Sequence, residues 1–274
     1  MSANSIAQAL LRPFTRRARR LRREWDKVLL AVLGLLVFFL LWHEAAVLAD
    51  EPALPTPGKV LEALRDSFDE PPAGFYDPWT MQEHVYQSLK KIASSALVAI
   101  ALAVPLGLLL GFSPRAEAFL AVPLELVRPI PPIAWLAFAI AILTTGMDVL
   151  FIISLGIFFP VFLNTLDGVK KVDRMLIDAA ETLGARRTQV FYKVIFPATM
   201  PQTMTGVRVG VGVGWMTIVA AEMLGVRDGG LGWMIWTHGQ LDDYDTMFAG
   251  MLMLGITSFL IARGLIALER WLQR

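Results

Sequence analysis

Three ionisable side chains in this sequence sit where a charge is expensive. Glu125 and Arg128 fall within an apolar run directly ahead of Pro129, Pro131 and Pro132, and Glu222 ends another run in Ala220-Ala221-Glu222. At a helical rise of about 1.5 Å per residue, the first two lie roughly 10–15 Å inside the end of their run. Charges at that depth face a bundle interior or a water-filled path. The prolines remove backbone donors and must interrupt the helix. Interrupted backbone is tolerated inside a bilayer only under a cover of protein or along a cavity. The chemistry on offer is therefore electrostatic: Glu125 and Arg128 either line a translocation path or pair with each other to hold the kink. Trp135, beyond the break, either stacks or packs, and Glu222 suits a gate or an interhelical hydrogen bond.

Covalent, metal and nucleotide chemistry find no support. No G-x-x-x-x-G-K-[ST] phosphate loop occurs, so any ATP hydrolysis must belong to another chain. His43-Glu44 is followed at position 47 by valine rather than the second histidine of a zinc-protease helix, and His43, His84 and His238 are too dispersed to suggest a metal cluster. They read as interface or loop residues. Gly210-Val211-Gly212-Val213-Gly214 resembles a dinucleotide loop only superficially, since no strand precedes it. Gly206, Gly210 and Gly214 recur every four residues, as do Gly107 and Gly111, which lines them along helix faces where a neighbouring backbone can approach closely.

The elements that must position these groups are membrane spans. Of 274 residues, 55% are hydrophobic and 18% charged, with a mean hydropathy of +0.56, against an apolar share of about 45–50% in soluble domains. A bilayer core of about 30 Å needs roughly 20 apolar residues in a helix, and six runs come near it, at 28–48, 91–112, 118–143, 149–166, 204–224 and 247–267. The net charge of +1 conceals an asymmetry, because eight of the 25 Lys and Arg lie in the first 27 residues. An arginine-rich arm directly before an apolar run reads as cytoplasmic retention rather than nucleic-acid binding. If the six runs alternate, the arm, Lys170, Lys171, Arg174, Arg186, Arg187, Lys193, Arg270 and Arg274 share one side, cytoplasmic by the positive-inside rule. Lys90 and Lys91 break that rule and are expected to snorkel to the interface, as is Arg208 at the other face. The first run also has features of a cleaved signal peptide ending near Val47-Leu48-Ala49.

The resulting division is a basic arm at 1–27, a first span at 28–48 and an external loop with short helices at 49–90. A core of five spans follows at 91–267, containing a cytoplasmic loop at 167–203, and then a tail at 268–274. Within 49–90 a short helix is expected near 57–68, and another runs from about Thr80 into the second span. Gly225–Gly232 reads as a flexible external loop leading to an amphipathic helix with Trp233 and Trp236 at the interface. No cysteine is present, so neither a disulfide framework nor a thiolate metal site exists.

The 167–203 loop is too charged to cross the bilayer yet is regularly patterned. Leu176, Ala179, Ala180 and Leu183 form an apolar stripe flanked by Asp178, Glu181, Arg186 and Arg187. Gly184 permits a sharp turn and close backbone approach, and a second helix over 186–194 is expected to end before Pro197. Two such helices could pass a push to the spans as a lever, or one could lie on the bilayer with no partner.

Asp178-Ala179-Ala180, three residues, Gly184, nine residues, then Val194-Ile195-Phe196-Pro197 resembles the EAA signature of ABC importer permeases, with Asp for the family's Glu, Val194 for its Ile and Phe196 for its Leu. Ser88-Leu89-Lys90-Lys91, Pro105-Leu106-Gly107 with Gly111, Arg128-Pro129-Ile130-Pro131-Pro132-Ile133-Ala134-Trp135, and Thr205-Gly206-Val207-Arg208 running to Glu222 resemble the nitrate, sulfonate, taurine and bicarbonate branch of those importers. The resemblance covers the chain from about residue 84 onward. It implies an all-α membrane protein of about six transmembrane helices with the small type I ABC importer permease fold and cytoplasmic coupling helices. It implies an inner-membrane, multi-pass subunit with a cytoplasmic N-terminus, itself no enzyme. Its partners would be two ABC ATPase subunits that bind ATP and Mg, a periplasmic or lipid-anchored substrate-binding protein, a second permease copy and the lipid bilayer, with no nucleic acid. Asp178, Ala179, Ala180, Glu181, Gly184, Arg186, Arg187 and Pro197 would dock the ATPase. Glu125, Arg128, Pro129, Pro131, Pro132, Trp135 and Glu222 would belong to the translocation path or gate, and the five glycines above to helix packing. The cargo would be nitrate, bicarbonate, taurine or an alkanesulfonate, with neutral vitamin precursors as a further class. The competing reading is an ion-coupled secondary transporter or channel using Glu125, Arg128 and Glu222 as a relay; a non-transporting scaffold would leave the broken span without purpose.

Overall fold

The computed structural model describes residues 3–71, 77–144, 146–224 and 229–272, with side chains described from residue 26 through 271 of these. The arginines of the arm, Pro72, the Gly225-Val226-Arg227-Asp228 part of the external loop, and Arg274 therefore lie outside the described residues or side chains. Every regular element among the described residues is helical. In order they are α1 (Ala3–Ala49), α2 (Pro57–Asp69), α3 (Met81–Phe112), α4 (Pro114–Val127), a 3₁₀ turn (Pro132–Trp135), α5 (Leu136–Ile142), α6 (Met147–Lys170), α7 (Arg174–Thr182) and α8 (Arg187–Val190). A π-helical segment (Phe191–Ile195) leads into α9 (Phe196–Leu224), and α10 (Leu231–Gln240) and α11 (Tyr244–Leu272) complete the set.

The chain divides into two units, residues 1–61 and 62–274. In the first, Asp26–Ala49 is a candidate span whose apolar side chains are exposed except for the half-buried Trp42 and the buried Ala46 near its end. At its end the Trp42 indole donates a hydrogen bond of 3.0 Å to the Pro55 carbonyl and so turns the following segment back.

The second unit is built around α6, which packs mainly against α9 and α3. Lipid tails are as apolar as Leu, so helix association in a bilayer rests on close packing and interhelical hydrogen bonds. Both occur here. A Cβ placed on Gly107 would lie 2.8 Å from Thr165 Cβ, on Gly111 2.5 Å from Val169 Cβ, and on Gly206 2.7 Å from Asn164 Cβ. On Gly210 it would lie 2.8 Å from the Ile157 carbonyl oxygen, and on Gly214 2.5 Å from Ile157 Cγ1. Between these close approaches the Ser154 hydroxyl donates to the Ser95 carbonyl at 3.2 Å, Thr165 to Thr203 at 3.2 Å, and Gln202 to Asn164 at 3.1 Å.

These neighbours also fix directions. Ser95 lies by Ser154, Gly107 by Thr165 and Gly111 by Val169, so α3 and α6 run parallel, whereas Gly206 by Asn164 and Gly210 by Ile157 make α9 antiparallel to α6. Two parallel spans require a return crossing between them. That crossing is made by α4 and α5, bent by 87° across Pro129–Pro132, so the sixth span exists as a broken one. The expected run 118–143 is thus two helices at a near right angle, interrupted at the proline cluster as its residues required. Pro131 leaves the helical region at φ −57°, ψ 137° before the 3₁₀ turn resumes the path.

Two expectations change. The helix beginning near 186 does not end before Pro197; Arg187–Leu224 is one continuous apolar element. Proline lacks an N–H and its ring clashes with the preceding turn. The wider π turns just before it make room, with the Phe196 N–H bonding to the Phe191 carbonyl. Arg208 does not simply snorkel: its guanidinium meets Glu269 of α11 at 3.1 Å.

Candidate functional site

At one end of the bundle, α7 begins at Asp173, whose carboxylate accepts from the Met175 N–H at 2.9 Å, a side-chain cap for an otherwise unpaired donor. It ends in a Schellman turn: the Ala185 N–H bonds to the Ala180 carbonyl (3.0 Å), the Gly184 N–H to that of Glu181 (2.9 Å), and Gly184 has φ 81°. The sharp turn expected at Gly184 is present, while among the described residues nothing lies within 4 Å of a Cβ placed there. The expected stripe also divides. Ala180, with Ile177, packs toward a core of Leu108, Val169, Val190 and Ile195. Met175, Leu176 and Leu183 stand 74%, 53% and 88% exposed, and Ala179 and Asp178 are exposed beside them. Arg186 opens α8, its N–H bonded to Gln189 at 2.7 Å. The Arg187 guanidinium sits 4.7 Å over the Phe112 ring. A cavity of about 590 Å³ beneath is lined by Arg174, Asp178, Glu181 and Arg187 together with the end of α6.

In the broken span, Glu125 and Arg128 are exposed on α4 and its end. Among the described residues no ion pair joins them, so a Glu–Arg bridge does not hold the kink. Instead both line a small cavity of about 140 Å³ between α4 and α6, shared with Phe159, Leu163, Glu117 and Lys170. Glu117 and Lys170 do pair, closing the end of that cavity. Pro129 and Pro131 are exposed, while Pro132 faces α6 at Gly156. Trp135 packs edge-on to Phe138 at 5.9 Å.

At the opposite end, polar groups converge in the interior. The Glu222 carboxylate, 1% exposed, accepts from the Ser88 hydroxyl (3.0 Å), the Lys91 ammonium (3.2 Å) and the Gly232 N–H (2.9 Å). Lys91 also donates to the Gly229 carbonyl at 2.6 Å. Lys91 therefore turns inward rather than snorkelling, because a buried carboxylate and the Gly229 carbonyl offer it partners there. One helical turn before Ser88 on α3, His84 Nε2 meets the Asp77 carboxylate at 3.0 Å, and His238 Nε2 reaches the same oxygen at 3.2 Å. His238 Nδ1 bonds Asp243 at 2.9 Å. Burial disfavours a charge on His238, but hydrogen bonds and charge from Asp77 and Asp243 outweigh it and raise its pKa above the usual 6.5. Burial likewise opposes the Asp77 charge, yet the His238 and His84 hydrogen bonds bring its pKa down to about 2.

The profile described as "Binding-protein-dependent transport system inner membrane component" matches residues 103–274. The taurine transport system permease protein TauC of Escherichia coli is 37% identical over 259 residues, 92% of this chain and 93% of that protein. The chain belongs to this family. A putative ABC transporter permease protein of Methanocaldococcus jannaschii, MJ0413, is 37% identical over 231 residues, 84% of this permease and 85% of the relative. An inward-facing MetNI methionine ABC transporter structure matches the fold with a TM-score of 0.63 at 18% identity, covering 70% of this permease and 95% of that chain. The protein is thus a multi-pass inner-membrane permease subunit of an ABC importer; it is not itself an enzyme, and ATP hydrolysis belongs to a separate ATPase.

Sequence reasoning brought the α7–α8 loop of the permease together correctly because its residues are neighbours in sequence. It missed what is distant. Asp77 and His238 are separated by 161 positions and His84 and Gly230 by 146, and the three histidines had read as scattered. The signal available was polarity: His84, Ser88 and Lys91 recur at helical spacing on α3, a polar stripe entering an apolar run. Trp233, expected at a membrane interface, stacks on His84 at 6.0 Å instead.

Proposed function

We propose that this permease carries a small anion, taurine or a related sulfonate before nitrate or bicarbonate, handed over by an external binding protein and moved by two ATPase subunits that bind ATP and Mg. The observation that carries the substrate class is the end-to-end similarity to TauC, over 92% of the chain. Two copies of the permease would form the pathway, with the N-terminus cytoplasmic and the broken span, Glu125, Arg128, Pro129, Pro131, Pro132 and Trp135, along it. The 140 Å³ cavity holding both charges beside α6 supports that assignment. Arg128 would attract an anion and Glu125 moderates the field, so the pair alone does not choose the cargo.

Asp178, Ala179, Ala180, Glu181, Gly184, Arg186, Arg187 and Pro197 would form the coupling unit that the ATPase grips. The support is physical: α7 is held at its inner face by Ile177 and Ala180, while Met175, Leu176 and Leu183 present an uncovered apolar face ringed by charge. Such a patch on the side of greatest positive charge fits a protein groove. The test is reconstitution with the cognate ATPase and binding protein, followed by ATP-dependent uptake of labelled taurine, alkanesulfonates, nitrate, bicarbonate and vitamin precursors. Taurine or sulfonate uptake is expected. Uptake of bicarbonate or nitrate alone would replace the substrate class, and uptake driven by an ion gradient without the ATPase would replace the mechanism with a relay through Glu125, Arg128 and Glu222.

A further inference from the structure

The transport reading gives no task to the buried Asp77, His84 and His238, yet these three residues hold four elements together. Asp77 lies in the segment ahead of α3 and is 2% exposed; His84 is on α3 and fully buried; His238, 2% exposed, is on α10. Asp243 joins from the turn before α11. His84 Nδ1 faces both the N–H and the carbonyl of Gly230, each at 3.1 Å. A ring protonated only on Nε2 accepts from that N–H while donating to Asp77; a doubly protonated ring donates to the carbonyl. Gly230 in turn abuts Glu222: a Cβ there would lie within 2.1 Å of its Oε1. The carboxylate of Asp77 is thereby connected, through one imidazole and one backbone turn, to the Glu222–Lys91 pair that ties α9 to α3.

We propose that Asp77, His84 and His238 are positioning residues for transport, a clamp that fixes α10 and the Gly229–Gly232 turn against α3, and that the proton on His238 makes this clamp sensitive to pH on the face opposite the α7–α8 loop. The ionisable groups around it are few. Lys91 and Glu222 satisfy each other, Glu83 is turned away onto the Thr80 N–H and hydroxyl, and Asp242 receives the Tyr244 hydroxyl. Among the described residues, only Asp77 and Asp243 hydrogen-bond to the His238 ring. The raised His238 value means its share of the clamp is complete below about 6.5 and is lost as pH rises through the folded value. The depressed Asp77 value, about 2 against 3.8, means its share is complete above 3.8 and lost only on approach to pH 2. The clamp is therefore tightest in mild acid and loosens as pH rises through the folded His238 value.

The decisive measurement is hydrogen–deuterium exchange across residues 231–240 in the assembled transporter, corrected for the intrinsic pH dependence of exchange and taken upward from mild acid. It needs no transported solute, so it separates this inference from the substrate reading above. Exchange in the wild type should rise as pH passes upward through the folded His238 value, while His238→Gln is fast throughout and loses the pH step. Taurine uptake with only the external pH varied should fall over the same range in the wild type and be low and flat in His238→Gln. A corrected exchange rate independent of pH in the wild type, or a step that His238→Gln retains, overturns the proposal. Should that variant fail to assemble, the wild-type exchange profile alone decides.

Discussion

Lys91 and Glu222 present the sharpest energetic question at a single position. Their side chains are 14% and 0% exposed, so each charge depends on the other and on Ser88, Gly229 and Gly232 for what water would have supplied. Removing one member of a buried pair strands the other and costs about 3–5 kcal/mol, whereas replacing both with apolar residues is often close to neutral. Lys91→Met should therefore destabilise the purified permease by that amount. Glu222→Gln should cost less, because an amide oxygen still accepts from Ser88, and the Lys91→Met, Glu222→Met double variant should lose far less than the sum. A double-mutant cycle on thermal unfolding in detergent measures this, and a coupling below about 0.5 kcal/mol would mean the pair acts independently. Gly230 belongs to the same argument. With φ 127° and Glu222 in the space a side chain would need, Gly230→Ala must displace the carboxylate, and its melt should fall at least as far as that of Glu222→Gln.

Among the elements, α7 and its turn form the unit whose disturbance should separate coupling from folding. Gly184 takes φ 81° with open space around it, so Gly184→Val meets no wall; it meets only the left-handed strain of about 1–2 kcal/mol for a side chain there. That strain re-aims α7 and leaves the spans untouched. ATP hydrolysis in the assembled transporter should continue while uptake collapses, with a melt lowered by no more than that strain, and normal coupled uptake would refute the lever. Gly206→Leu gives the opposite pattern: its side chain would strike Asn164 and the Pro160–Val161 backbone, so α9 and α6 separate and stability falls with activity. The contrast explains what the sequence made legible. A proline cluster, a Gly stop after an amphipathic run and glycines at helical spacing act through neighbours a few positions away, and the broken span, the Schellman turn and the close helix crossings all follow from them. The Asp77–His238 contact, the inward turn of Lys91 and the Arg208–Glu269 pair depend on which helices become neighbours, which periodicity within one segment does not encode. Ile177 was missed for a related reason: four apolar residues competed for the inner face of α7, and only the location of Val169 and Val190 decides between them.

At the scale of the whole molecule, the arrangement rests on parity. The parallel run of α3 and α6 forces the chain back across the bilayer between Phe112 and Met147, so the bent α4–α5 pair must count as a crossing despite its 87° angle. If the first run crosses as the sequence predicts, four crossings would separate Asp26 from Leu183 and put them on the same side; only α9 separates Leu183 from Gln240, placing them on opposite sides. The chain has no cysteine, so single replacements at Asp26, Leu183 and Gln240 can be read without background. In sealed, right-side-out vesicles a membrane-impermeant maleimide should label Gln240→Cys at once, and Asp26→Cys and Leu183→Cys only after the vesicles are opened. Labelling of Asp26→Cys and Leu183→Cys from different sides would make α4–α5 a re-entrant loop and break the parallel pairing on which the core packing depends. Labelling of Leu183→Cys from outside in intact vesicles would place the α7–α8 loop beyond reach of any cytoplasmic ATPase. The positive-inside rule favours the first pattern with a physical margin: the 167–203 loop alone carries Lys170, Lys171, Arg174, Arg186, Arg187 and Lys193, and holding such a segment on the cytoplasmic side is what that charge bias does.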